Sequence, residues 1–293
     1  MSDKAVDHNT GTKSGVGGRY GREGVTTVIS RALSHVASVR ITALYAVALV
    51  TISLAMTKLG SRAHDVVVSQ MSTNLHNLSR GHVDTLIGSA FVSDGGDISA
   101  WLPGLVCLLA LGELIWRGRG LVVTFAVGHI GATLLVGLWL TFAVKAGLLP
   151  ISIARATDVG VSYGAVCVLG ALTASIPARW RTVWVGWWLG TAVMAASGAD
   201  FTAIGHVLAL LLGIGLSFRL RSIARWTPIH VGLFIVGVSF CYFVLCGPSV
   251  MALIGGLAGT LLGLFASREV RLSAVKGRIP LQQPQFVAAS GRV

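Results

Sequence analysis

The feature that most limits this chain is a series of eight apolar stretches, each about long enough to cross a bilayer. A crossing helix needs roughly 20 mostly apolar residues, because hydrocarbon offers no water to satisfy backbone N–H and C=O groups. The stretches fall at about 40–59, 98–116, 121–144, 159–177, 182–198, 201–218, 228–246 and 251–266. Composition agrees with a membrane class. Only 12% of the residues are charged and 54% are hydrophobic, and the mean hydropathy is +0.77; a soluble domain carries about 25% charge. The expected fold class is all-α, a polytopic transmembrane helix bundle.

The loops between the stretches alternate in charge, and this predicts an orientation. One set carries Arg117 and Arg119, then Arg179 and Arg181, then Arg219, Arg221 and Arg225. The C-terminal segment adds Arg268, Arg271, Lys276 and Arg278, and the polar segment before residue 39 is basic as well. The other loops hold Asp65, Asp84, Asp94, Asp97, Asp158 and Asp200 with few cations. The positive-inside rule then places both termini in the cytoplasm, and an even number of spans agrees with that. The expected location is the plasma membrane, with residues 1–38 and 269–293 as basic cytoplasmic tails and the first of them disordered. The opening residues lack an apolar core, so no cleavable signal peptide is read there.

The net charge of +12 is explained by these helix-end cations, so no nucleic-acid partner is expected. Cys107, Cys167, Cys241 and Cys246 all lie within apolar stretches and form no CxxC pair, which predicts buried packing residues and no metal or disulfide framework. The loop at 60–97 is long, and its apolar "TLIGSAF" predicts a segment lying on or dipping into the outer leaflet.

Polar groups inside spans are costly, so each asks for a reason. Ser162 lies about four residues, and His206 about five, inside the outer end of separate helices; at 1.5 Å per residue both sit roughly 6–9 Å deep. A serine and a histidine at equal depth can act as nucleophile and base. Serine also lines close helix contacts, and a buried histidine also serves packing or a proton path; spacing leaves these open. His129 lies deeper, and an interhelical hydrogen bond is its preferred reading. Glu113 ends a helix beside Arg117 and Arg119, where a local ion pair or helix-end contact is expected. Trp180, Trp184, Trp187 and Trp188 read as an aromatic anchor toward lipid. Gly255, Gly259 and Gly263 form a small-residue face for helix packing.

These residues resemble the rhomboid family of intramembrane serine proteases. "GVSYGAVCVLGA", Gly160 to Ala171, is similar to the family's GxSG-type helix and sets Ser162 at the nucleophile. "GHVLALLLG" is similar to its HxxGxxxG helix, with His206 at the histidine, Ala209 at the first glycine and Gly213 at the second. "TLIGSAFV" and "LGELIWRGRG" look like the end of its first outer loop and of its second helix. The resemblance covers about 40–220. It implies a six-helix core at 39–220, with two additional transmembrane helices at 221–268. It also implies an intramembrane serine endopeptidase without metal or cofactor: a transmembrane substrate enters laterally, Ser162 attacks and His206 is base, then acid. Gly160 and Tyr163 flank the serine as oxyanion support.

The departures from the pattern define the alternatives. The family's helix-two His and Asn fall at Ala100 and Gly104, so neither oxyanion donor is present; one lost donor typically costs about 10²–10³ in rate. His64, His76, His82 and Asn77 in the long loop are candidate substitutes. Tyr163 replaces a glycine, and it would either alter the backbone beside Ser162 or stack over His206. Val166 replaces a frequent aromatic, and Asp84 and Thr85 replace a Trp-Arg pair. Proteolysis is the favoured reading. A catalytically silent relative that binds transmembrane clients is the alternative, and a proton-coupled transporter using His129 and His206 is third, since no internal repeat is seen.

Overall fold

A computed structural model describes residues 38–93, 97–198 and 200–276. The predicted basic tail before residue 38, Asp94, and the tail beyond residue 276 lie outside the described residues. Every element of the described chain is helical, with no strand among the described residues.

The first span is α1 (Arg40–Leu59), an apolar run ended by Gly60 at φ 79°. The loop that follows carries α2 (Ser61–Met71), α3 (Leu75–Ser79) and α4 (Thr85–Gly88). The next helix, α5 (Ile98–Ala126), begins on Asp97, whose carboxylate accepts the Ser99 N–H at 2.9 Å. It breaks at Arg117, the one described non-glycine residue at positive φ (61°), so its two halves make separate crossings. A π-helical turn at Val127–Gly131 then leads into α6 (Ala132–Lys145).

The helix bearing Ser162 is α7 (Ser162–Ala171), extended by a tighter turn at Leu172–Ser175. It is shorter than a bilayer is thick. Every residue from Tyr163 to Ser175 is buried, so α7 meets protein on all sides and lipid thickness does not set its length. Arg181 ends it, donating from Nε to the Ile176 carbonyl (2.9 Å) and from a terminal nitrogen to the Ala174 carbonyl (3.0 Å). Then come α8 (Arg181–Ala196), α9 (Phe201–Ser217), capped by Asp200, and α10 (Pro228–Cys246), opened by a Thr227–His230 capping box with Pro228 at its first position. The last helix, α11 (Val250–Lys276), continues beyond residue 268 into the segment expected to be tail.

By length and hydropathy four stretches can cross a membrane: Arg40–Leu59, Ile98–Lys145, Pro228–Cys246 and Val250–Glu269. The second folds back at Arg117, and the shorter α7, α8 and α9 complete the bundle. Its outside is apolar: Leu44 on α1, Leu138 on α6 and Leu262 on α11 are each more than two-thirds exposed. Such a surface belongs against lipid, and the chain is a multi-pass membrane protein.

Close helix approaches are made by glycine. A Cβ on Gly170 of α7 would strike the Leu210 carbonyl of α9, and one on Gly213 would strike the Cys167 carbonyl. Gly255, Gly259 and Gly263 of α11 meet Gly190, Gly186 and Thr182 of α8 backbone to backbone. The predicted small-residue face therefore has α8 as its partner. Trp188, only 1% exposed, and Trp184 pack inward, Trp184 on Phe234 of α10; Trp187 lies against Gly256. Trp188 is thus a core residue and not a lipid anchor, Trp184 and Trp187 are half-buried against neighbouring helices, and Trp180 is the exposed one of the four.

Glu113 makes a helix-end contact, with the start of α1 and not with Arg117 or Arg119. Its buried carboxylate accepts the Ile41 and Thr42 N–H groups (3.0 and 2.8 Å) and the Thr42 hydroxyl (2.8 Å). These are amides that a helix start leaves unpaired. On the same basic end, Trp116 donates to the Arg221 carbonyl (3.0 Å) and the Ile223 N–H to Ser175 Oγ (3.3 Å), joining the arginine-bearing turns.

Candidate functional site

At the opposite end, the long loop is fastened to the lead-in of Ser162. The Asp158 carbonyl accepts the Thr73 N–H and hydroxyl, both at 2.9 Å, and the Asp158 N–H donates to Ser72 Oγ at 2.8 Å. The Gly160 N–H donates to the Ser89 carbonyl at 2.9 Å. Gly160 has φ 118°, a backbone state closed to most side chains; it turns the chain into α7. The "TLIGSAF" segment forms α4 and a 3₁₀ turn, with Thr85, Ser89 and Ala90 buried and Ile87 exposed. One face packs on protein and the other looks outward.

Ser162 is the first residue of α7 and is half-buried. It lines an open cleft of about 660 Å³ with His64, Ser93, Trp101, Phe240 and Val244. His206 does not line this cleft. It is 7% exposed, and its Nε2 has no hydrogen-bond partner. Its neighbour is the Tyr163 ring, edge-on with centroids 5.4 Å apart. The Tyr163 hydroxyl end fills the place a side chain at Gly205 would take. It faces Asp158 but has no partner within hydrogen-bond geometry. No hydrogen bond joins Ser162 to His206.

The expected serine–histidine contact therefore has a different outcome. The two residues share an end of the bundle, yet the tyrosine next to the serine faces the histidine. Tyr163 does pack against His206, edge-on and not stacked over it. A serine–histidine hydrogen bond does exist elsewhere: Ser89 Oγ and His129 Nε2 are 3.1 Å apart, both residues buried. His129 sits in the π turn, and its bond runs to the loop, not to another span. Its Nδ1 has no partner.

The candidate oxyanion substitutes separate clearly. Asn77 is committed to the loop, donating to the Ser69 and Ser72 carbonyls at 3.0 and 2.8 Å. His64 alone among them shares the cleft with Ser162. At the two positions of the absent donors, Ala100 is exposed and Gly104 is covered by the Phe240 side chain. Val166 is fully buried. The four cysteines are free.

Asp158 is the site residue that sequence reasoning passed over, having used it only as a loop charge. Burial pushes its carboxyl up to about 6, against the pull of the Thr73 hydroxyl. Thr73 Oγ1 stands 3.5 Å from a carboxylate oxygen.

The arrangement can hold an extended or helical segment beside Ser162, with His64, Ser93 and the helix start as polar contacts. It holds no assembled proton-transfer pair at that serine. A family model described as rhomboid-like protein matches residues 34–226. No curated protein and no solved structure matches the chain.

Proposed function

The chain belongs to the rhomboid-like family, and from that premise we propose that it binds transmembrane segments of other membrane proteins at the Ser162 cleft without cleaving them. The observation that carries this reading is the edge-on packing of Tyr163 on His206. It occupies one side of the ring that would act as base, while Nε2 stays buried and unpartnered. A nucleophile needs its base within hydrogen-bond reach. The missing donors at Ala100 and Gly104 weaken catalysis further. The cleft itself stays open beside Ser162 and is mostly apolar, which suits a helix end unwinding from lipid.

The cleft lies at the end of the bundle opposite the arginines. By the positive-inside rule this is the outer side of the plasma membrane, with both termini cytoplasmic. A single cysteine at Asp97 in a cysteine-free background reacts with an impermeant reagent from outside; labelling only from the cytoplasm reverses the orientation.

The functional test uses purified protein with a fluorophosphonate probe and a photocrosslinker at Ser93. Wild type and Ser162→Ala give equal fluorophosphonate signal, and both capture a transmembrane client segment from the cleft. Ser162-dependent labelling would overturn the silent reading in favour of the intramembrane serine endopeptidase.

A further inference from the structure

We infer that the groove along α8, between α9 and α11, holds one anionic glycerophospholipid from the leaflet on the arginine side, its phosphate on Arg181 and its chains along the helices. The inference is independent of client binding at the Ser162 cleft. Helix α8 packs on both α9 and α11, and the space left between those neighbours is about 1030 Å³. On α8 the groove runs from Arg181 to Met194, and on α11 from Ala266 back to Gly255. At 1.5 Å of rise per residue these lengths are about 20 and 17 Å. Half of a hydrocarbon core about 30 Å thick is about 15 Å. The groove is therefore as deep as one leaflet.

Its polarity is that of a lipid. The walls are apolar toward Val193 and Met194, and the polar lining gathers at the other end, at Arg181, Thr173, Ser217 and Ser222. Thr173 lies in the turn that ends α7 and is 6% exposed, yet its hydroxyl has no hydrogen-bond partner. A buried hydroxyl left unpaired is costly, and a lipid ester carbonyl is an acceptor that completes it. Arg181 gives two of its five N–H donors to the Ile176 and Ala174 carbonyls, which fixes the guanidinium near Thr173. No carboxylate among the described residues pairs with it. A guanidinium so held suits a phosphate, which it can grip with two parallel bonds. Arg179, Arg219, Arg221 and Arg268 lie within two residues of lining positions, while the acid nearest along the chain is Glu269, three residues past Ala266. Basic pockets between transmembrane helices bind anionic head groups in this way. An apolar helix laid in the same groove would leave Arg181 without an anion.

A photoreactive lipid tests this. The full chain is placed in phosphatidylcholine nanodiscs with a trace of phosphatidylglycerol that carries a diazirine on one acyl chain. Illumination labels groove residues of α8, α9 and α11, read by peptide mass spectrometry. Excess unlabelled phosphatidylglycerol competes, and sodium phosphate does not. Arg181→Ala lowers groove labelling by about tenfold or more, the scale of a lost bond to a charged group. Ala258→Trp lowers it as much by filling the groove from an exposed position on α11. That variant leaves the Arg181 cap on α7 intact, so it decides the matter if Arg181→Ala does not fold. Labelling of the exposed α6 face at Leu138 changes in neither variant. Equal groove labelling by a phosphatidylcholine analogue, or labelling unchanged in either folded variant, overturns the inference. So does displacement by sodium phosphate alone, which makes the site one for free phosphate, or a crosslink to a second copy of the chain in place of lipid.

Discussion

The Tyr163 ring stands edge-on to His206, centroids 5.4 Å apart, and its hydroxyl end rests over Gly205. The pair is a packing unit: the absence of a side chain at Gly205 admits the tyrosine, and the tyrosine covers the imidazole. Tyr163→Phe removes a buried hydroxyl that has no partner, so its thermal midpoint in detergent stays at or above wild type. Tyr163→Ala leaves a cavity and costs about 3–5 kcal/mol. A large loss for Tyr163→Phe would mean that the hydroxyl is bonded after all.

Asp158 gives the chain a pH signature. Its carboxyl is raised from 3.8 to about 6 by burial. The folded state therefore keeps a proton that the unfolded chain has released, between about pH 4 and 6. Stability falls as pH rises through that window, and the loss is complete above about 6. Asp158→Asn removes this slope, so it melts higher than wild type at neutral pH and gains less at about pH 4. Parallel melting curves across the range would refute the assignment.

Glu113 holds α1 to α5 with three accepted hydrogen bonds. Glu113→Ala leaves the Ile41 and Thr42 amides unpaired in a buried place, at a cost of roughly 3 kcal/mol or more. Glu113→Gln keeps one acceptor oxygen and loses less. Denaturation in mixed micelles reads both; equal stability of all three proteins would show that water serves these amides as well.

Gly259 and Gly186 touch backbone to backbone. Gly259→Leu forces α11 away from α8 and lowers the melting temperature sharply. A Cβ at Gly215 meets nothing within 4 Å, so Gly215→Ala is neutral or slightly stabilising and serves as control. Equal effects of the two changes would contradict the contact.

Ser89 and His129 share a buried hydrogen bond at 3.1 Å. Ser89→Ala leaves both ring nitrogens without a partner and destabilises by about 1–3 kcal/mol. His129→Phe alone orphans the serine hydroxyl, whereas the double variant removes both polar groups and recovers part of the loss. Strict additivity in this cycle would show that the two groups do not interact.

The end of the bundle was legible in the sequence, and facing was not. Residue counting put Ser162 and His206 near the same end of separate helices, although α7 begins at Ser162 itself and not about four residues before it. Facing turns by about 100° per residue and is fixed by neighbours, so a one-residue change put Tyr163 opposite His206 and turned Ser162 to the cleft. The glycine face on α11 was readable as a surface but its partner was not, since Gly186 and Gly190 lie on a helix read for its tryptophans. Those tryptophans pointed to lipid by type; Trp184 packs on α10, Trp187 lies against α11 and Trp188 is in the core. Asp158 was hidden because its fastening of the long loop is done through its backbone, which leaves no mark in residue type.

The contact between α8 and α11 ties the middle of the chain to the last of the described helices. A ribosome inserts α8 some seventy residues before the glycines of α11 emerge. Until then Gly186 and Gly190 present bare backbone to the bilayer. The nascent protein thus carries an unfinished seam through the synthesis of α9 and α10, and only completion of α11 closes it. Any truncation between residues 197 and 250 leaves that seam exposed.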